Sequence, residues 1–390
     1  MFASRTGWSL EPNRFSATLQ RHRASCREVL DLSESNPTRC RFEYDRSLLT
    51  ALGNTRGLAY EPHPRGLRIA REAVCAYYRE RGTQVDPEQI ILTASTSEGY
   101  SFLFRLLCNP GDEVLVPAPS YPLFEFLAAI QDVKLVAYPL IYDHGWQIDL
   151  HGLGEALTPR TRAILVVHPN NPTGSFVKPS EMEVLDGLCR ERRLALVADE
   201  VFLDYAHDRV ERPSFAGPRQ ALTFALSGIS KICALPQMKL AWIVVGGAPE
   251  LAQGAMARLE VIADTYLSVS TPVQLALPEF LTWRQGIQRQ VKERVATNLA
   301  ELDRQLAEQE SVRRLEVEGG WYAVLRVPAT RSDEQLAIEL LERHSVIVHP
   351  GHLYDFPSEG YLVVSLITPA EVFAEGVKRV LGGFLSGVCW

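Results

Sequence analysis

Lysine is scarce in this chain of 390 residues, where six of the 40 basic residues are lysines and 34 are arginines. The formal net charge is −7, and no run of basic residues with interleaved aromatics provides a surface for nucleic acid. A nucleic-acid partner is therefore not expected. Each lysine, in a chain that uses arginine so freely, calls for an explanation.

Long apolar runs are absent as well. No stretch is long and apolar enough to span a membrane, and the first ten residues lack a charged segment followed by an apolar one. The seven cysteines are odd in number and never spaced as Cys-x-x-Cys, which favours neither a disulfide framework nor a zinc site. We expect a cytoplasmic protein, neither secreted nor membrane-spanning, with reduced and buried thiols and no metal.

The hydrophobic pattern predicts two domains in an α/β protein. Up to residue 246, continuous apolar runs alternate with segments of helical spacing, which indicates a largely parallel sheet wrapped by helices. From Ile287 to Leu306, apolar residues recur every three or four positions, which is typical of a long amphipathic helix. We predict a large domain over residues 45–285 with a mostly parallel seven-stranded sheet, and a smaller α+β domain formed by residues 1–44 and 286–390.

The predicted elements have the following bounds. Strands of the large domain are predicted at 89–94, 113–117, 134–140, 162–168, 194–199, 223–228 and 240–246, with helices at 67–81, 97–107 and 180–192. The smaller domain is predicted to contain strands at 314–317, 321–327 and 361–366, and helices at 332–343 and 369–385.

Lys231 directly follows the apolar run 223–228. A lysine that leaves a buried strand is desolvated, which lowers the pKa of its amine and makes it a nucleophile towards a carbonyl. Taken alone, the same sequence also fits a lysine whose side chain extends to the surface. The neighbouring motifs decide between these alternatives.

Polar segments follow three other predicted strands, at the edge where open α/β sheets bind ligands. They are His168 to Gly174, Asp199, and Thr93 to Glu98. The first is also good turn chemistry, and the other two could be ordinary helix caps. A buried carboxylate such as Asp199 nevertheless needs a cation or a donor, and small hydroxylated residues at a helix N-terminus suit a phosphate.

Taken in order, these motifs resemble those of the class I/II aminotransferase family, which are pyridoxal 5′-phosphate (PLP) enzymes of fold type I, like aspartate and alanine aminotransferases. The resemblance covers essentially the whole chain. It is carried by Tyr60 with Gly66 and Arg71, Thr93 to Glu98, Pro119 to Pro122, Asn171 to Gly174, Asp199 to Val201, and Ser230-Lys231 followed by Lys239 to Trp242.

The resemblance implies a role for each matching residue. Lys231 would be the catalytic Schiff-base lysine and proton carrier. Asp199 would pair with the protonated ring nitrogen of PLP, Asn171 would donate to the ring hydroxyl oxygen, and Tyr121 would stack on the ring, with Phe124 as the alternative.

The phosphate of PLP would be bound by residues from several segments. Within the subunit these would be Ser95, Thr96, Ser97, Ser230 and Lys239. Tyr60 and Ser270 would reach over from a second subunit, which implies a homodimer with shared active sites.

The chain departs from the family at several positions. Phe202 replaces a tyrosine that reaches the ring oxygen, with Tyr205 as a possible substitute donor, and Lys239 replaces a phosphate-binding arginine. Val363 stands where relatives carry the arginine that binds the substrate carboxylate. Ser35 replaces a glycine on the substrate side.

The predicted substrate residues follow from these departures. They are Ser35, Asn36, Arg39 and Arg41, the two arginines being candidates to replace the missing carboxylate-binding arginine. The alternatives are that both are solvated arginines on a loop, or that a displaced arginine such as Arg326 serves instead. The substrate could also lack an ordinary α-carboxylate, and we expect standard α-amino acids to be slow substrates.

The implied function is an aminotransferase that moves an amino group between an amino acid or amine and a keto acid. A PLP-dependent lyase, racemase or decarboxylase of the same fold is the main alternative, and a non-catalytic PLP-binding regulator is a further one. The cofactor motifs do not separate the catalytic alternatives, because the reaction depends on which bond of the substrate carbon stands perpendicular to the ring.

Overall fold

The computed structural model describes residues 1–24, 28–208 and 212–385. Five cysteines in this part of the chain are free thiols, and four of them are buried. Cys26 and Cys389, which were also expected to be buried thiols, lie outside the described residues. No helix within the described part is long and apolar enough to cross a membrane.

The described residues form fourteen strands and twelve α-helices. The strands are β1 (Leu30–Asp31), β2 (Ile90–Thr93), β3 (Glu113–Ala118), β4 (Lys134–Tyr142), β5 (Trp146–Ile148), β6 (Thr161–Val167), β7 (Ala195–Asp199), β8 (Thr223–Gly228), β9 (Ala241–Gly246), β10 (Arg313–Arg314), β11 (Tyr322–Arg326), β12 (Val346–Ile347), β13 (His349–Pro350) and β14 (Tyr361–Ser365). The helices are α1 (Arg14–Ala24), α2 (Ser47–Ala51), α3 (Arg68–Glu80), α4 (Thr96–Leu107), α5 (Leu123–Ile130), α6 (Leu150–Ala156), α7 (Pro179–Arg192), α8 (Ile229–Ile232), α9 (Pro249–Asp264), α10 (Thr271–Leu306), α11 (Asp333–His344) and α12 (Ala370–Leu385). Short 3₁₀ helices occupy Ser4–Thr6, Pro37–Arg39, Thr55–Leu58, Pro87–Gln89, Pro236–Met238 and Gly351–Tyr354.

The large sheet has eight strands in the order β2-β9-β8-β7-β6-β3-β4-β5. Strands β8, β7, β6, β3 and β4 are parallel, β9 runs antiparallel between β2 and β8, and β5 is an antiparallel edge strand. All seven predicted strands are present. The prediction of seven was nevertheless one too few, because β5 spans three residues and leaves no apolar run of its own.

Both faces of this sheet are covered, which explains why its strands are continuously apolar. Along β6, Ile164 and Val166 pack into one hydrophobic cluster, whereas Ala163 and Leu165 pack into the other. Each fully buried aliphatic side chain of this kind contributes about 2 kcal/mol to the free energy of unfolding.

The second part of the fold is built on a four-stranded antiparallel sheet of order β10-β11-β14-β13. The N-terminal segment folds back onto it, since β1 pairs with β12 and α1 packs on α11. The strand predicted at 314–317 is shorter and ends at Arg314. The chain leaves the ladder there, and Glu318 accepts a hydrogen bond from the Phe176 main-chain N–H (2.9 Å) beside the large sheet.

Helix α10 begins at Thr271, well before the predicted start of the long helix. Its first three turns are apolar on several sides, so that periodicity alone did not reveal them. Residue 285, the predicted domain boundary, lies inside this helix. The division into 45–285 and 1–44 with 286–390 stays a prediction.

Candidate active site

Five strands, β2, β3, β6, β7 and β8, run in the same direction and end at one edge of the large sheet. The register places Asp199 directly beside Leu226 of β8, and places Thr93 and Gly228 on either side of Ala241. The segments that carry the predicted residues 95–97, 121, 171, 199, 230 and 231 all leave the sheet at this edge. The topology therefore brings segments that are far apart in the sequence into one site.

Lys231 lies in α8, the single helical turn after β8. Its Nζ is 5.3 Å from the centre of the Phe202 ring and 4.9 Å from that of Trp321. Burial among these rings lowers the pKa of the Lys231 amine to about 8, and the negative charge of Asp199 opposes this shift. The fraction of the amine that is uncharged and nucleophilic near neutral pH is therefore much larger than for an ordinary lysine, about a tenth at pH 7.

Asp199 is the last residue of β7 and is buried. Its Oδ2 accepts a hydrogen bond from the Tyr100 hydroxyl (2.8 Å), and its Oδ1 accepts one from the Val201 main-chain N–H (3.1 Å). Burial raises the pKa of the carboxyl, while both bonds and the charge of Lys231 oppose the rise. A carboxylate held in this way is suited to a cationic ring nitrogen beside it.

Asn171 belongs to a loop after β6 that is braced by its own hydrogen bonds. The Gly174 N–H donates to the carbonyl of Asn170 (2.8 Å), and the Asn170 N–H donates to that of Ser175 (2.8 Å). The Asn171 side chain is buried, and its Oδ1 has no hydrogen-bond partner among the described residues. An amide oxygen without a partner can accept a hydrogen bond from a ligand, whereas the predicted donation to the ring oxygen of PLP would come from Nδ2 of the same amide.

The N-terminus of α4 provides donors for a phosphate. Ser95 caps the helix by accepting a hydrogen bond from the Glu98 N–H (3.1 Å), and Thr96 and Ser97 occupy its first turn. Ser230 lies in α8, and Lys239 is exposed just before β9 begins. Since Gly228 and Ala241 are register partners, Ser230 and Lys239 start from the same part of the sheet edge.

The aromatic pair near this edge has distinct environments. Phe124 is buried and makes edge contacts with both Tyr121 and Tyr100. Tyr121 is 41% exposed. The structure thus makes Phe124 a packing residue and leaves Tyr121 as the ring available for stacking.

Tyr60 and Ser270 lie at the surface, and Tyr60 is 78% exposed. Neither has a hydrogen bond to the Lys231 pocket in the described part of the subunit. Their exposure is compatible with a role in a second subunit's site.

Phe202 has no polar atom to offer a ring oxygen and packs edge-on against Trp321. The alternative donor, Tyr205, is already engaged, because its hydroxyl donates to the Lys231 carbonyl (2.7 Å). Tyr205 therefore positions the lysine's main chain rather than replacing the missing tyrosine.

The predicted substrate residues fall into two groups. Ser35 interacts with the Tyr322 hydroxyl, whereas Asn36 caps a 3₁₀ helix by accepting from Thr38 (N–H, 3.1 Å; hydroxyl, 2.8 Å). The Arg39 side chain is 74% exposed and lies 3.8 Å from Glu34, and that of Arg41 is 69% exposed and binds Glu371 (2.6 Å). The geometry favours the alternative that both arginines are solvated loop residues.

Two further residues bear on the predicted carboxylate site. Val363 is buried in β14, the strand predicted at 361–366. Arg326 is exposed at the opposite end of the β11/β14 pair and donates to the Tyr361 hydroxyl (3.1 Å). It does not supply the missing cation.

Sequence reasoning missed Tyr100, Trp321 and Tyr322. Tyr100 lies one turn after Thr96 on α4, so that its spacing from the phosphate motif was a usable signal. Trp321 and Tyr322 reach the lysine only through the packing of the second sheet on the first.

A family model described as aminotransferase class I and II matches residues 27–379 of the chain. Among curated proteins, a glutamate-pyruvate aminotransferase of Escherichia coli K12 is 28% identical over 370 residues, 92% of this chain and 91% of that protein. An arginine-pyruvate transaminase of Pseudomonas aeruginosa is 28% identical over 326 residues, 81% of this chain and 80% of that protein.

Solved structures share the fold along almost the whole chain. An alanine aminotransferase from Pyrococcus furiosus has a TM-score of 0.88 at 22% identity and covers 99% of this chain and 100% of its own. A mutant aspartate aminotransferase of Thermus thermophilus has a TM-score of 0.84 at 22% identity and covers 98% and 99%, respectively. These similarities confirm the predicted α/β architecture.

Proposed function

Because the chain belongs to the class I and II aminotransferase family, whose members share fold type I, we propose that it binds PLP covalently through Lys231. The chain is an aminotransferase, moving an amino group between an amino acid or amine and a keto acid. The observation that carries the residue assignment is that Asp199, at the end of β7, and Lys231, in the turn after the neighbouring parallel strand β8, lie at the same edge of the sheet.

Lys231 serves as both the attachment point and the base. PLP, when bound, supplies an electron sink for the substrate carbon that carries the amino group. The Lys231 amine would accept the proton from that carbon and return it to the C4′ carbon of the cofactor. This task suits a group whose pKa lies near the pH of the medium. Trp321 and Phe202 keep water away from the amine and limit the directions in which the amine can move.

Asp199 keeps the cofactor's ring nitrogen protonated. Its carboxylate is fixed from two sides by Tyr100 and Val201, so that it cannot turn away from the ring. Asn171 would bind the ring hydroxyl, and Tyr121 would cover one face of the ring. Thr96, Ser97, Ser230 and Lys239 would bind the phosphate, with Ser95 fixing the helix end that presents the first two.

We further propose a homodimer in which Tyr60 and Ser270 complete the partner's phosphate site. Large apolar side chains are exposed near Tyr60, and a monomer would leave them in water. They are Leu58, two residues before Tyr60, and Leu267, which lines the same cavity as Tyr60. The five described free thiols support a reducing compartment such as the cytoplasm.

The Lys231 assignment is tested by Lys231→Ala in protein prepared with PLP. We expect the visible absorbance of the covalently held cofactor to disappear, borohydride to fix no cofactor to the protein, and transamination to fall below detection. Lys378→Ala, at an exposed lysine of α12, is the matched control and should keep all three properties. A borohydride-fixed cofactor in Lys231→Ala would mean that another lysine carries it.

A further inference from the structure

His349 lies directly beside Val363 in the second sheet. The register pairs Val363 with Val324 on one side and with His349 on the other. Opposed residues of an antiparallel ladder share a face, and so do alternate residues along one strand. His349, Val363 and Tyr322 therefore share a face of this sheet.

Tyr322 places this face at the Lys231 pocket, because its ring packs edge-on against that of Phe202, whose centre lies 5.3 Å from the Lys231 Nζ. Burial raises the pKa of its hydroxyl to about 12, and its bond with Ser35 opposes that rise. Tyr121 also acts on it electrostatically. The face that carries Val363 and His349 thus looks onto the substrate side of the site.

His349 is held in place by a phenol. Its Nδ1 is 2.9 Å from the Tyr354 hydroxyl, and the Tyr354 carbonyl accepts a hydrogen bond from the Ser120 N–H (2.8 Å), next to Tyr121. Burial lowers the pKa of the His349 imidazole, with the charge of Asp31 acting in the opposite direction. The imidazole is therefore neutral near pH 7, and its Nε2 makes no hydrogen bond within the described part of the chain.

The arginines of the surrounding segments already have partners. Arg39 and Arg41 face Glu34 and Glu371, and Arg326 binds Tyr361. Arg294 donates to the carbonyls of Cys40 (3.2 Å) and Ile367 (3.3 Å). A substrate carboxylate placed against Val363 would lose its hydration without gaining an ion pair, which is strongly unfavourable.

We propose that His349, oriented by Tyr354, binds the substrate group attached to the amine-bearing carbon, and that the preferred amino donor carries an uncharged hydroxyl or amide there instead of a carboxylate. This inference rests on the proposed function. The imidazole and the phenols donate and accept hydrogen bonds without charge, which matches a neutral polar group better than an anion.

The donor preference is tested in the first half-reaction, with racemic alanine, alaninamide and 2-aminopropan-1-ol as donors. The three compounds share the same carbon skeleton. Loss of the cofactor's visible absorbance at increasing donor concentration gives a limiting rate and a dissociation constant for each. We expect the amide and the alcohol to exceed alanine at least about tenfold in the ratio of these constants.

Three variants locate the preference on this face of the sheet. Val363→Arg should invert it in favour of alanine, because it adds a cation at the same place. His349→Ala should raise the dissociation constants of the amide and the alcohol about tenfold and leave the limiting rate within about twofold. His349→Gln should restore part of the affinity, which a merely structural role of His349 would not require.

The outcomes separate the two proposals. If alanine is the better donor for the wild type, or if His349→Ala weakens all three donors equally, the inference about His349 is wrong while the aminotransferase assignment stands. If none of the three donors nor any amino acid of a wider panel converts the cofactor, the proposed function fails as well.

Discussion

At the scale of single residues, the site depends on hydrogen bonds that hold Asp199 ionised in a buried place. Tyr100 is the side-chain donor among them, at 2.8 Å. Its hydroxyl opposes the rise in the pKa of Asp199 that burial produces. Tyr100 is thus a positioning residue that acts on catalysis through the carboxylate.

Tyr100→Phe should lower kcat/KM about tenfold, since a hydrogen bond to a charged group is worth roughly 1.5 kcal/mol. The loss should be larger in acid. Removing the donor raises the pKa of Asp199 further, so that the carboxyl becomes protonated at a higher pH and the acid limb of the kcat/KM profile moves upward. A pH profile of the variant against wild type measures this shift.

Tyr78→Phe is the matched control, because Tyr78 is a buried tyrosine whose hydroxyl accepts from Trp242 Nε1 (3.2 Å) and has no bond to Asp199. It should lose stability without moving the acid limb. Equal pH profiles for the two variants would remove Tyr100 from the mechanism.

At the scale of elements, the loop after β6 needs glycine at position 174. Gly174 has φ of +71°, and a Cβ there would collide with the Gly319 carbonyl oxygen and the Val317 side chain. Gly82 has a similar φ of +73°, with nothing within 4 Å of its added Cβ. An alanine at position 82 has only the cost of the left-handed backbone conformation, whereas an alanine at position 174 has that cost and the cost of the collision.

Gly174→Ala should therefore reduce the free energy of unfolding by about 3 kcal/mol, and Gly82→Ala by about 1 kcal/mol. Gly174→Ala should also weaken PLP retention, since Asn171 belongs to the same loop. Denaturant titration and cofactor dialysis measure the two effects. Equal losses in the two variants would show that the loop has room for a side chain.

The elements also show how far the sequence alone could reach. Six of the seven predicted strands could be predicted because both of their faces are buried, and β4 because its residues are mostly apolar although many are exposed. The ends of these strands brought Lys231, Asp199 and Asn171 to one edge. β5 left no signal because it spans only three residues, and the first turns of α10 left none because they are apolar on several sides. His349 was missed because its contacts depend on register and packing between distant segments, whereas the spacing of Tyr100 from the phosphate motif was a usable signal.

At the scale of the whole molecule, the exposed apolar side chains around Tyr60 support the proposed dimer. Leu58 is 92% exposed, and a charge there would be buried without a partner if two subunits meet at this surface.

Leu58→Glu should shift the protein towards monomers in light scattering after gel filtration, and should weaken PLP binding because Tyr60 and Ser270 would leave the partner's site. Val184→Glu, at an exposed position of α7, should change neither property. A Leu58→Glu protein that stays dimeric would place the subunit interface elsewhere.

Helix α10 spans 36 residues, about 54 Å, and is long enough to contact both parts of the fold. It begins directly after Ser270, which is predicted to reach the partner's phosphate site. Farther along, Asn298 donates to the carbonyls of Leu366 (2.9 Å) and Thr368 (2.8 Å), just beyond the strand of Val363. Replacing the second sheet with that of a relative, in order to change the donor preference, would therefore also require replacing the face of this helix that contacts it. Without it, the segment that follows the grafted strand would lose the two hydrogen bonds that attach it to this helix.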